Sequence, residues 1–330
     1  MELFINLGFW DVQVRSSQDE LLRAIKRLFN HRTSAEPRIG ARRLVCDVFD
    51  DPEKFYQLNA TTNFDGPVIP INKIIKAEYS FRDGRTRIKV QLTGIIELTE
   101  DQPLYTCVYL EPLALSGNAV RPLPEAFFYP MLVEWMRNVD AYLVHCGAVS
   151  IDGKAIILIG PTGSGKSTHV LRMLCRDGVD FLADDLMILH RSGEELILMP
   201  FREVANLGDE SVQRFPDMKF LTSAPRRGDG KFQVSIEEYF NKKAVESATP
   251  GVILHLYPEQ QPWIRQRSSG DVLEGIHKMN FFISRTKEST NNFFILTDLM
   301  MASHHFDVSQ GYMAENLDAL MGNLSTVLQQ

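Results

Sequence analysis

The chain has 330 residues, of which 44% are hydrophobic and 23% charged, and a formal net charge of −7. This is an ordinary soluble globular composition, at a length that favours two domains over one. The acidic balance, without any Lys/Arg block, excludes a chain built to wrap nucleic acid or lie on an anionic membrane, and no apolar run reaches the ~18 residues of a membrane span.

The four cysteines, Cys46, Cys107, Cys146 and Cys175, are far apart and form no CxxC pair, so no zinc site is expected. The N-terminal residues have neither a basic start nor a small-residue cleavage site, so no signal peptide is expected and the cytoplasm is the default compartment.

In chain order, residues 1–14 alternate apolar and polar and predict a strand. "SSQDELLRAIKRLFNH" predicts an amphipathic helix. Ser17 is its cap, Glu20 follows three residues on, and Leu21, Leu22, Ile25, Leu28 and Phe29 form one stripe. From Arg42 to Leu113 strand patterns return in "RLVCDVFD", "IKAEYSFRD", "TRIKVQLTGIIELT" and "YTCVYLEPLAL". "VRPLP" breaks the chain, and "EAFFYPMLVEWMRNVDAYLVH" predicts a helix running into a strand, with Pro130 disturbing its first turn. Residues 1–125 therefore predict a β-rich α+β module with one helix.

Residues 126–330 predict an α/β domain. "AIILIG" is a short buried strand, "KSTHVLRMLCRDG" a helix ending at Gly178, and "VDFLADDLMIL" the next strand, with "ELILMP" returning as a hairpin across "HRSGE". "PGVILHLYP" and "NNFFILTDLM" are strand candidates, and "AENLDALMGNLSTVL" predicts a closing helix.

Between the first strand and helix of this domain stands "GPTGSGKS", a G-x-x-x-x-G-K-[ST] phosphate loop (Walker A) in its proper context. Gly160, Gly163 and Gly165 allow backbone N–H groups to turn inward, so Gly160, Pro161, Thr162, Gly163, Ser164, Gly165, Lys166, Ser167 and Thr168 form the expected nucleotide cradle. The following helix directs its positive end at the phosphates. Lys166 is placed to reach the β- and γ-phosphates, and Ser167 to ligate Mg²⁺.

Phosphoryl transfer to an alcohol requires a carboxylate at the attacking hydroxyl and another near the metal. Asp184 and Asp185 in "FLADD" supply such a pair, flanked by apolar residues that argue against a solvated loop. His145 lies 21 positions before Lys166, across a hairpin turning at "IDGK" that returns the chain toward the loop.

The order His-x-Gly, hairpin, "LIGPTGSGKST", helix, Gly, "FLADD" resembles the catalytic domain of HPr kinase/phosphorylase and its kinase-like relatives, of the phosphoenolpyruvate-carboxykinase type of phosphate-loop fold. The likeness is densest over Ala141–Leu189. It implies that Asp185 is the base on the acceptor hydroxyl, Asp184 its neighbour at the metal, and His145 the histidine beside the reacting phosphate. The chain lacks an "RGLGIIN"-like signature and carries "PFRE" instead, in which it resembles the HPr-kinase-related proteins that often sit in peptide-modification pathways. The N-terminal module does not resemble the standard HPr-kinase N-domain. The resemblance also implies a homo-oligomer, although no residue pattern specifies an interface.

Further candidates are Arg226, Arg227 and Lys231 in a Gly-rich basic loop that suits a lid over the triphosphate, and Arg202 with Glu203 at a strand end. Arg265 and Arg267 are expected on the surface. His304–His305 would need a third ligand to hold a metal, and none is evident. The expected function is an ATP- and Mg²⁺-dependent kinase acting on a hydroxyl, Ser by expectation, of a protein or peptide partner, with no nucleic-acid or membrane partner. The rival readings are a nucleotide-hydrolysing switch or motor, for which no "NKxD" motif is present, and a degenerate nucleotide-binding scaffold, against which Lys166, Ser167 and both Asp argue.

Overall fold

Gly8 divides the N-terminal alternation in two. Its φ of 72° turns the chain, its N–H donates to Asn6 Oδ1 at 3.0 Å, and the predicted single strand becomes a hairpin of β1 (Glu2–Leu7) and β2 (Trp10–Ser16) closed by the Leu7–Trp10 pair. The computed structural model describes the chain except residues 30–31, 71–74, 103, 113–122, 138, 228–229, 268–285 and 330. The protein is mixed α/β and divides into two units, the first running to Ala141 and also taking in residues 286–289, the second comprising the rest from Tyr142 onward.

In the first unit, α1 (Asp19–Phe29) begins two residues after the predicted cap Ser17, and it is the Ser16 hydroxyl that accepts from the Gln18 N–H. The apolar stripe of α1 is buried as predicted. There follow β3 (Thr33–Ser34), β4 (Arg42–Phe49), α2 (Pro52–Thr61), β5 (Val68–Pro70), β6 (Lys76–Arg82), β7 (Arg85–Val90), β8 (Gly94–Thr99), β9 (Tyr105–Leu110) and α3 (Leu123–Arg137). The strands form one sheet ordered β3-β1-β2-β4-β9-β8-β7-β6-β5.

The sequence reading missed α2, which makes the "one helix" expectation wrong. Asp51 caps it by accepting from the Lys54 N–H, Pro52 starts it, and its buried face is only Phe55 and Leu58, too short a stripe to stand out. The run "TRIKVQLTGIIELT" is two strands, because Leu92 takes a left-handed φ of 57° in the turn between β7 and β8. The break predicted at 120–124 begins outside the described residues. Helix α3, whose Pro130 lies well inside it, groups with α1 through the Phe29–Phe128 ring contact at 5.6 Å.

The second unit holds β10 (Ala141–His145), β11 (Gly147–Ile151), β12 (Lys154–Ile159), α4 (Lys166–Leu174), β13 (Asp180–Ala183), β14 (Leu186–Ser192), β15 (Glu195–Pro200), β16 (Val204–Leu207), α5 (Asp209–Arg214), a 3₁₀ segment (Pro216–Ser223), β17 (Phe232–Ser235), α6 (Ile236–Phe240), β18 (Thr249–Tyr257), β19 (Ile264–Gln266), α7 (Thr286–Met301), β20 (His304–Ser309), α8 (Gln310–Glu315) and α9 (Leu317–Leu328). Its main sheet is ordered β13-β11-β12-β18-β20-β19, with β12, β18 and β20 parallel. A second sheet is ordered β10-β14-β15.

Strand β12 is buried on both faces, which explains its unbroken apolar run. Ile156 and Leu158 pack with Val170, Leu171 and Leu174 of α4, whereas Ile157 and Ile159 pack with Met187, Leu189, Leu296 and Leu299. That second set corrects the expectation of a strand at "NNFFILTDLM". Ile295, Leu296, Leu299 and Met300 are buried at helical spacing on α7. The hairpin of β14 and β15 forms with the expected pairing.

"VDFLADDLMIL" is not one strand. It splits at Asp184–Asp185, where the chain leaves the main sheet at the end of β13 and enters the second sheet as β14. The chain makes the same crossing in the opposite direction at Cys146, between β10 and β11.

Candidate functional site

The two crossings set His145 and the Asp pair side by side. Asp185 has a φ of 73°, and the Leu186 N–H bonds the Asp184 carbonyl at 2.9 Å across it. This is a γ-turn of the rare positive-φ kind, which costs about 1–3 kcal/mol and persists only where neighbours hold it. Several neighbours do. His145 Nδ1 lies 2.9 Å from the Asp185 carbonyl oxygen and 3.2 Å from Oδ1, and the guanidinium of Arg202 lies 3.2 Å from Oδ2. Because a carbonyl only accepts, His145 donates from Nδ1. Burial pushes the Asp185 carboxyl up, but the His145 hydrogen bond and the charges of Arg202, His145 and Arg227 outweigh it and hold the group at about 2.

Asp184 has the opposite environment. It is 2% exposed, its Oδ2 accepts from the Asn206 N–H at 2.9 Å, and its Oδ1 has no partner at hydrogen-bonding geometry. Burial pushes this carboxyl up, offset in part by the nearby Ser167 hydroxyl. A buried carboxylate with an orphaned oxygen beside a helix-start hydroxyl fits a hard divalent cation that takes its remaining ligands from phosphate and water. Among the described residues no group of three or more His, Cys, Asp or Glu is placed to hold a metal by itself.

The glycine-rich loop joins β12 to α4. Gly165, at φ 89°, opens the helix, and a Cβ there would press on the His169 ring at 3.1 Å. Gly160 packs so closely that a Cβ would stand 2.8 Å from both the Leu256 carbonyl and Ser164 Oγ. Lys166 is nearly buried and donates to the carbonyls of Gly160 at 2.8 Å and Pro161 at 3.3 Å; burial lowers its pKa. Gly147, two residues after His145, lets α4 approach β11, since a Cβ there would meet Val170 at 2.7 Å.

One cavity of about 840 Å³ is lined by His145, Thr162, Gly163, Gly165, Lys166, Ser167, Thr168, His169, Asp184, Asp185 and Asn206, and closed by residues of α5 with Arg226, Gly230 and Lys231. Thr168 Oγ1 and Ser211 Oγ lie 2.6 Å apart on its wall. The two loop arginines separate. Arg226 pairs with Asp209 through both nitrogens at 3.0 and 2.6 Å and lies over Phe232, whereas Arg227 reaches Asn206 Oδ1 at 3.3 Å and lends its charge to Asp185. Glu203 lies just beyond Arg202, and its carbonyl accepts from the Ile236 N–H.

One expectation fails outside the cavity, that of Arg267. Arg265 is exposed as expected, yet it pairs with Asp307, and Arg267 is buried against Asp307 and His255 rather than on the surface. His305 is also buried, bonded to His255 at 3.0 Å and to the Met300 carbonyl at 2.6 Å. The sequence reading missed Asn206, His169, Gln260 and Gln310, none of which belongs to a local motif. A larger hollow of about 1260 Å³ in the first unit surrounds Arg15 and Asp47, which pair with each other while Tyr105 donates to Asp47.

No protein-family model matches the chain, and neither does any curated protein sequence. Among solved structures, the Hpr(Ser) kinase/phosphatase from Coxiella burnetii is similar over 56% of this chain and 93% of its own, at 14% identity and a TM-score of 0.31. No helix among the described residues is long and apolar enough to cross a membrane.

Proposed function

We propose that the second unit is an ATP- and Mg²⁺-dependent kinase that transfers the γ-phosphoryl group to a hydroxyl, that of a Ser in a protein or peptide, with Asp185 as the base. The observation that carries this reading is the Asp185 carboxylate, fixed between His145 and Arg202 in the same cavity as the glycine-rich loop. A hydrolase needs a group to position water, whereas an ionised carboxylate clamped at a strained turn suits an alcohol that must be oriented and relieved of its proton.

At about 2, Asp185 is ionised throughout the physiological range and is a weak proton acceptor. Its main task is therefore to hold the hydroxyl in line, with the proton moving late in transfer, as a loose transition state allows. Lys166, freed from the Gly160 and Pro161 carbonyls, would meet the β- and γ-phosphates. Loop N–H groups and the start of α4 would bind the remaining oxygens. Ser167 and Asp184 would hold Mg²⁺, which when bound neutralises phosphate charge. His145 offers Nε2 or, when protonated, a cation at the transferring group.

The test is single-turnover transfer from labelled ATP to Ser peptides, with ATP affinity measured in parallel. Asp185→Asn is expected to bind Mg-ATP normally and to transfer ~10²–10⁴-fold more slowly. Transfer at the wild-type rate would remove Asp185 from the mechanism, and hydrolysis alone with every acceptor offered would favour a nucleotide-driven switch.

A further inference from the structure

The sheet order gives the cavity two flanks. The loops after parallel strands β12, β18 and β20 all open on one edge of the main sheet, the place where α/β sheets bind ligands. The strand carrying the glycine-rich loop, β12, lies between β11 and β18. On the β11 and β13 side stand His145, Asp184 and Asp185. On the β18 and β20 side stand Gln260, in the segment after β18, and Gln310, the first residue after β20.

On that second flank a chain of polar side chains leads into the loop. Arg214 donates to Gln260 Oε1 at 2.7 Å, Gln260 Nε2 donates to Gln310 Oε1 at 3.0 Å, and Gln310 Nε2 donates to the Gly163 carbonyl at 2.9 Å. The arrangement is built closely: a Cβ on Gly311 would fall 1.8 Å from the Gln260 carbonyl. The exposed Arg214 lies over Phe215 at 5.4 Å, a guanidinium on an aromatic base. His169 lines the same cavity, is 2% exposed and has a ring Nδ1 without a hydrogen-bond partner.

We infer that this flank, formed by Arg214, Gln260 and Gln310, binds the nucleoside half of the nucleotide, so that the acceptor enters from the opposite, β11/β13 flank. The inference rests on the proposed phosphate site. A nucleobase stacks on the Arg214 guanidinium, and the two side-chain amides, with a lone pair to spare on each Oε1 and one N–H to spare on Gln310, read its edge or the ribose hydroxyls. The link from Gln310 to Gly163 joins this recognition directly to the loop that holds the phosphates.

The experiment is calorimetric titration with Mg²⁺ present, using ATP and inorganic tripolyphosphate on wild type, Gln260→Ala, Arg214→Ala and Lys166→Ala. Wild type is expected to prefer ATP. Gln260→Ala and Arg214→Ala, both surface changes, are each expected to weaken ATP about tenfold, the loss of one good contact, while tripolyphosphate binding stays the same. Equal binding of the two ligands by wild type overturns the inference, as does a pair of variants that weakens both ligands alike or neither. If Lys166→Ala binds ATP as wild type does and tripolyphosphate does not bind at all, the phosphate site itself has failed and the inference falls with it.

Discussion

The buried guanidinium of Arg202 stands 3.2 Å from Asp185 Oδ2 while His145 occupies Oδ1, so the carboxylate is gripped from both oxygens. The turn at Asp185 is strained, and these two contacts are what keep its side chain in one place. Arg202→Ala is therefore expected to slow transfer by ~10- to 10²-fold, the effect of a misplaced group, with ATP affinity unchanged. Losing this charge also lets the Asp185 carboxyl rise from about 2. The acid limb of the transfer rate must then move to higher pH, and Arg202→Lys should return it toward its original position. A pH–rate profile identical to wild type would show that Arg202 acts only in packing.

Asp184 offers a test that needs no acceptor. Burial raises its pKa, so the folded protein takes up this proton more readily than the unfolded chain. Its charged form is a burden at neutral pH, which disappears as the solution becomes acid enough to protonate it in both states. Asp184→Asn keeps an oxygen for the Asn206 N–H and removes the charge. Without Mg²⁺ the variant is expected to melt a few °C higher than wild type at neutral pH, with the gap closing in acid. Added Mg²⁺ should raise the melting temperature of wild type and not of the variant. A variant that Mg²⁺ stabilises as well as wild type would place the cation elsewhere.

Much of this site is legible in the sequence because its signals are local. The Gly160–Ser167 spacing, the buried run before it and the helix after it agree, and "FLADD" announces a carboxylate pair by its apolar flanks. Spacing does not reveal the change of sheet at Asp184–Asp185, because a strand that kinks into a second sheet keeps its apolar composition. The same holds for "NNFFILTDLM", where a short apolar run fits strand or helix until the packing of Leu296 and Leu299 against β12 decides. Asn206, Gln260 and Gln310 were beyond reach for another reason: each is an ordinary polar residue whose role comes from contacts 22, 46 or 147 positions away.

Acid should weaken the fold through His169. Burial, with the charges of Arg172 and Arg214, lowers its pKa to about 3, so the folded ring stays neutral while the unfolded chain protonates below ~6.5. The stability this confers is complete above ~6.5 and is lost as pH falls toward 3, at up to ~1.4 kcal/mol per pH unit. His305, also lowered by burial, adds in the same direction. Urea unfolding at several pH values should show a shallower loss for His169→Gln than for wild type, whatever the absolute stability of the variant. Parallel curves would mean that His169 titrates normally in the folded state.

The two loop arginines, expected from sequence to act together as a lid, should behave differently. Arg227 reaches Asn206 Oδ1, and the backbone N–H of that same residue holds Asp184, so a single asparagine links the loop to the carboxylate pair. Arg226 is instead held by Asp209, the Gly230 carbonyl and the Phe232 ring at the exposed rim. If positive charge is needed only as the phosphoryl group moves, Arg227→Ala lowers the single-turnover rate by at least about tenfold and leaves ATP affinity nearly constant. Arg226→Ala, which removes an exposed pair, should leave both close to wild type. Single-turnover rates and ATP affinities for the two variants and their double mutant decide the matter. The double mutant is expected to match Arg227→Ala alone. Equal losses from the two single changes would restore the shared lid, and no loss from Arg227→Ala would reduce the loop to surface.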